Sequence, residues 1–129
     1  MSRGLLAAFL MAASLAFAGA PRYADLLLSD VKDGKAKAVF AKNTEKIFLT
    51  AKLADVPGGA KLKSEWIAVK TKVAPPNYKI DAVELTTNAL TNQANFALSA
   101  PTAGWPAGDY RIDLYIDGKK ATSVSFQVQ

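Results

Sequence analysis

Few residues in this chain could make or break bonds. Histidine and cysteine are absent, and the two methionines, Met1 and Met11, both fall within the first 20 residues. Composition alone therefore excludes a serine or cysteine nucleophile activated by a histidine base. Zinc, copper and haem sites lose their usual nitrogen and sulfur ligands on the same ground, so no metal site and no cofactor is expected.

Carboxylates are the chemistry that remains. Asp109, Asp113 and Asp117 recur at i, i+4 and i+8, which on a strand places them on one face with successive members about 13 Å apart. That is wider than the roughly 5 to 9.5 Å separating the two carboxyls of a glycosidase. They read instead as surface residues paired with Arg111 or lysines, with Asp117 forming a turn. Asp30 and Asp33-Gly34 hint at a calcium loop but lack its alternating oxygen ligands. Gly58-Gly59 follows Pro57 and leads into another strand rather than a helix, so it cannot cradle a phosphate. The expectation is a protein that is not an enzyme and has no catalytic residues.

Charge narrows the partners. The 129-residue chain carries a formal +5, but its lysines (Lys32, Lys42, Lys52, Lys63, Lys79, Lys119) are scattered and solubilising rather than focused. Phosphate recognition needs a concentrated patch, so no nucleic-acid partner is expected.

The elements that hold these residues are strands. Beyond residue 22 the pattern alternates with period two and is broken every 8 to 15 residues by turn chemistry. From Asp109 to Ile116, Tyr110, Ile112, Leu114 and Ile116 face one way while Arg111, Asp113 and Tyr115 face the other. Asp117-Gly118 then supplies a tight hairpin turn, and the returning strand turns Thr122, Val124, Phe126 and Val128 inward. Lys46 to Leu53 alternates similarly and ends in Asp55-Val56-Pro57-Gly58-Gly59. Leu62 to Lys70 carries Trp66. Further strands are expected at Leu26 to Asp30, Ala38 to Phe40, Tyr78 to Thr86 and Asn95 to Ser99. Seven or eight short strands at this spacing predict an all-β, two-sheet sandwich.

Residues 1 to 18 are expected to be removed. Arg3 precedes an apolar stretch from Leu5 to Phe17, which closes on the small residues Ala16 and Ala18, the order of a signal peptide. The stretch is too short for a comfortable membrane span, which needs about 20 apolar residues. One domain covering 19 to 129 follows, in the periplasm or secreted, with no membrane span.

Two details point within the sandwich class. Trp66 sits mid-strand where immunoglobulin-like domains place a core tryptophan, and Gly108-Asp109-Tyr110 opens the penultimate strand like a tyrosine corner. Ile112 occupies the position a disulfide cysteine would take, so packing between it and Leu49 or a neighbour would replace the bridge. The run from Gly104-Trp105-Pro106 through Asp117-Gly118-Lys119, closed by Phe126-Gln127-Val128, resembles the C-terminal hairpin of small exported bacterial immunoglobulin-like domains. Ile47 through Trp66 is similar to their preceding strands. The resemblance implies an immunoglobulin-like antiparallel β-sandwich and an exported setting; it transfers no catalytic or binding residue.

With Trp66 inward, Ile67 and Val69 point outward and so does Tyr115. These three, rimmed by Glu65, Arg111 and Asp113, form a candidate partner-binding patch. The loop end carrying Trp105 is a second candidate surface, set against a reading in which Trp105 plugs the sandwich edge. The functional expectation is a non-catalytic binding or accessory module engaging a protein or cell-envelope component. Behind it stand an inhibitor or envelope-assembly subunit joined by strand addition, and last a small carboxylate-dependent hydrolase. Intact-mass measurement of the exported protein should find Gly19 at its N-terminus, within two residues; an exported chain that retains residues 1 to 18 would contradict the leader.

Overall fold

A computed structural model describes residues 19–129, so the expected leader lies outside the described residues. Eight strands run β1 Arg22–Ser29, β2 Val39–Phe40, β3 Lys46–Ala54, β4 Lys61–Thr71, β5 Tyr78–Thr86, β6 Gln93–Ser99, β7 Gly108–Ile116 and β8 Lys119–Val128. They form a three-stranded sheet of order β1-β3-β6 and a five-stranded sheet of order β2-β8-β7-β4-β5. All pairings are antiparallel except the short parallel one between β2 and β8. This is the strand order of an immunoglobulin-like sandwich with β5 added beside β4.

Alternation decides what lies between the sheets. Ile47, Leu49 and Ala51 of β3 meet Leu62 and Trp66 of β4 and Tyr110, Ile112, Leu114 and Ile116 of β7 in one buried core. Leu49 and Ile112, the positions a cross-sheet disulfide would occupy, are both fully buried. A second tie joins the sheets: the buried Tyr23 hydroxyl of β1 donates to the Tyr115 carbonyl of β7 at 2.7 Å.

The lower end of the core is aromatic. The Phe126 ring stacks on Tyr110 with centroids 5.1 Å apart and meets Phe40, Trp66 and Trp105 edge-on at 5.6 to 6.3 Å. Tyr110 makes the expected corner, its hydroxyl donating to the Pro106 carbonyl at 2.5 Å. Burial pushes that hydroxyl up to about 12, so it stays a proton donor. Gly108 admits this entry into β7 because its φ is +150° and a Cβ there would collide with the Lys70 carbonyl. At the opposite end, Asp117 (φ +48°) and Gly118 (φ +84°) make the hairpin turn between β7 and β8. The Asp117 carboxylate accepts the Lys61 N–H at 2.9 Å, fixing the turn to β4.

Tyr110→Phe removes one hydrogen bond from an otherwise unchanged ring and should cost about 1 kcal/mol in urea unfolding. Phe126→Ala removes the ring that four others contact and should cost about 3–5 kcal/mol. Equal, small losses for the two would contradict the central place given to Phe126.

Candidate functional site

The outer face of the five-stranded sheet is not the apolar patch expected there. Pleating puts Lys63, Glu65 and Ile67 of β4 beside Arg111, Asp113 and Tyr115 of β7, with Glu65 directly opposite Asp113. Like charges in that relation repel, and cations offset them. Glu65 Oε2 lies 3.1 Å from both Lys63 Nζ and Lys79 Nζ, while its Oε1 accepts the Tyr115 hydroxyl at 3.1 Å. Asp113 Oδ1 accepts from Arg111 Nε at 3.0 Å and Ser123 Oγ at 2.7 Å, with Lys120 Nζ at 3.4 Å. Lys63 Nζ also sits 4.6 Å above the Tyr115 ring.

Ile67 stands between Arg111 and Lys79 in the ladder and is only 5 % exposed. Val69 falls where the β4–β7 register shifts, between Ala68 and Lys70, and is half-buried. Tyr115 and Arg111 remain on the face but are engaged by carboxylates. Trp105 is 1 % exposed, its indole N–H donating to the Thr44 carbonyl at 3.0 Å, so it plugs the sandwich rather than standing out from an exposed loop. The segment from Val73 to Asn95 does not fold over this face; it supplies β5 and extends the sheet.

Burial works against both carboxylates, yet their hydrogen bonds and cations prevail and hold each below its ordinary value. Neither lines any described cavity, and the described residues hold no cluster of three or more acidic side chains suited to a metal. The network positions structure instead. Arg111 Nη1 donates to Asn77 Oδ1 at 2.9 Å, and Asn77 is the φ +57° residue of the turn leading into β5.

That turn forms one wall of an apolar cleft. Val73, Pro75, Tyr78 and Ile80 face Pro101 and Pro106 across a floor of Trp105 and Tyr110, enclosing about 350 Å³. A larger hollow of about 680 Å³ has Val31 and Phe48 in its lining, but Asp30, Lys32, Lys37, Asn43, Glu45 and Lys46 line it too, and Asp30 is already paired with Lys37 at 2.9 Å. The smaller cleft is the better site on three grounds. Its walls are apolar and its floor aromatic, as in ligand pockets generally. Two large apolar residues stand exposed at its rim, Val73 at 73 % and Tyr78 at 51 %. Thr71 lines it, and its Oγ1 is the one buried side-chain polar atom among the described residues without a hydrogen-bond partner. Such an atom costs about 1–3 kcal/mol until something bonds it.

The cleft opens at one end of β5, whose far edge pairs with nothing because β5 ends the sheet. The sequence pointed to this end only through Trp105, named above as a second candidate surface, and not to the wall from Val73 to Ile80. The remaining legible signal is the set of prolines Pro75, Pro76, Pro101 and Pro106, which stand in two connections that topology brings to the same end.

No protein-family model matches the sequence, and no curated protein matches it. Among solved structures the chain is similar to an immunoglobulin-like protein from Pseudomonas aeruginosa, at 13 % identity and a TM-score of 0.53, covering 86 % of this chain and 93 % of that one. It is also similar to parts of two enzymes. One is an alkylpurine DNA glycosylase from Pseudomonas fluorescens bound to DNA containing an abasic site analogue, at 17 % identity and a TM-score of 0.52, covering 84 % of this chain and 30 % of that one. The other is a β-glucosidase from Erythrobacter marinus, at 10 % identity and a TM-score of 0.55, covering 85 % and 15 %. At these identities the likeness concerns fold, and the fold is immunoglobulin-like.

The depressed carboxyls give stability a pH dependence. A group whose folded value lies below its unfolded one stabilises fully at neutral pH, and that contribution is lost as pH falls through the ordinary carboxylate range, about 4, and below. Urea midpoints should therefore drop on acidification through that range, with a shallower drop in Asp113→Asn. Identical pH slopes for the two proteins would contradict the network.

Proposed function

We propose that this chain is an exported, non-catalytic binding module that takes up an extended polypeptide segment along the open edge of β5, with an apolar side chain of that segment seated in the adjoining cleft. The observation that carries this reading is the junction of cleft and edge. An extended chain lying against β5 would pair with its unpaired backbone groups, and a bulky side chain would reach the Trp105 and Tyr110 floor. The arrangement is that of β-strand addition, in which backbone bonds supply affinity and a pocket supplies selectivity.

The order of the first 18 residues supports export, which would make the partner a protein of the periplasm or cell envelope. The lack of histidine and cysteine, together with the placement of the Glu65 and Asp113 carboxylates on a face without a cleft, supports a binding role over catalysis.

Selection of seven-residue peptides on the exported protein tests the reading. Selected peptides should carry a bulky apolar residue and lose about tenfold or more in affinity to Val73→Asp and to Tyr78→Asp. Both residues are exposed, so the unfolding midpoint should hold. Peptides that bind both variants as well as the parent would overturn it.

A further inference from the structure

The edge of β5 carries a self-complementary pattern. Lys63, Ser64, Glu65 and Trp66 of β4 face Glu84, Val83, Ala82 and Asp81, after which the register shifts and Ile67 faces Lys79. The extra residue, Ile80, brings Lys79 to the same outer face as Ala82 and Glu84, as its bond to Glu65 requires. Tyr78 and Leu85 lie opposite Ala68 and Leu62, on the inner face. Each face of the edge thus holds complementary groups on either side of Ala82.

We propose that the strand added to β5 is β5 of a second copy of this chain, related by a two-fold axis through Ala82. This rests on the reading above and names its partner. With Ile80 left out of the pairing with the second copy as it is left out of the pairing with β4, the antiparallel register about that axis sets Ala82 against Ala82, Lys79 against Glu84 twice on the outer face, and Tyr78 against Leu85 twice on the inner one. Opposite charges and apolar pairs in these relations stabilise. Glu84 is exposed and makes no ion pair among the described residues, so its carboxylate is free for the second copy's lysine. The half-exposed Tyr78 ring at the cleft mouth gains an apolar cover. The axis closes the assembly as a dimer, and the opposite edge of the sheet, β2, is only two residues long. Asp81 opposes the pairing: its Oδ1 accepts the Ala82 N–H at 2.8 Å and must be displaced.

Sedimentation equilibrium of the exported protein from micromolar to millimolar concentration is the test. The parent should show a reversible monomer–dimer equilibrium. Glu84→Lys, and separately Lys79→Glu, place like charges opposite at two symmetric positions and should weaken it about tenfold or more. An equimolar mixture of the two variants restores both ion pairs and should associate at least as tightly as the parent. Asp81→Ala should tighten it. A parent that stays monomeric throughout, a dimer indifferent to both charge reversals, or a mixture that fails to associate would each overturn the second-copy partner. If Lys79→Glu does not fold, Glu84→Lys and Asp81→Ala decide: no weakening in the first and no tightening in the second would overturn it. A monomeric parent that still binds selected peptides through Val73 and Tyr78 would overturn only this partner and leave the binding module standing.

Discussion

Everything at the lower end of this sandwich depends on the packing of four aromatic rings against Phe126. A domain of this size holds little core, and small exported domains commonly add disulfides to compensate. This chain has none. The Phe126 cluster does comparable work by joining elements far apart in sequence: Phe40 from β2, Trp66 from β4, Tyr110 from β7 and Trp105 from the loop before it. Each ring buries a large area with only two side-chain torsions to fix. The cluster also makes the cleft, because Trp105 and Tyr110 are at once the edge of the core and the floor of the site.

The period-two segments were legible in the sequence because their burial is one-sided. The strands at Lys46 to Leu53 and Asp109 to Ile116 need only alternation of apolar residues, and Asp117-Gly118 needs only residues that accept positive φ. Trp66 in the core, the Tyr110 corner and the burial of Leu49 with Ile112 follow the same logic. β1 starts four residues and β6 two residues before the expected strands, since edge positions carry weaker apolar signals.

The candidate site was less legible, for two physical reasons. Outward parity at Ile67 says which face a side chain leaves from but not whether lysines and arginine will lie over it, and here ion pairs to Glu65 and Asp113 draw those cations across. The cleft, in turn, is assembled from two proline-bearing loops 30 residues apart, whose convergence follows from strand order alone. Trp105 shows the same limit: an aromatic residue between glycine and proline suits an exposed loop or a core plug equally, and its bond to the Thr44 carbonyl decides for the plug.

Polar network and apolar cleft act together. Arg111 links the buried Asp113 carboxylate on the sheet face to the Asn77 turn, and that turn carries Val73 and Tyr78 to the rim. Ala82 gives its N–H to Asp81 rather than to β4, so by period-two alternation the N–H groups of Glu84 and Thr86 also point to the open edge. Residue-resolved amide hydrogen exchange at low and high protein concentration tests most directly whether this edge is the binding side. The amides of Glu84 and Thr86 should exchange fast in dilute solution and gain protection as concentration rises, while those of Tyr110, Ile112 and Phe126 stay protected at both. Slow exchange of Glu84 and Thr86 in dilute solution would contradict the open edge itself, and fast exchange at every concentration would contradict a second copy as its partner.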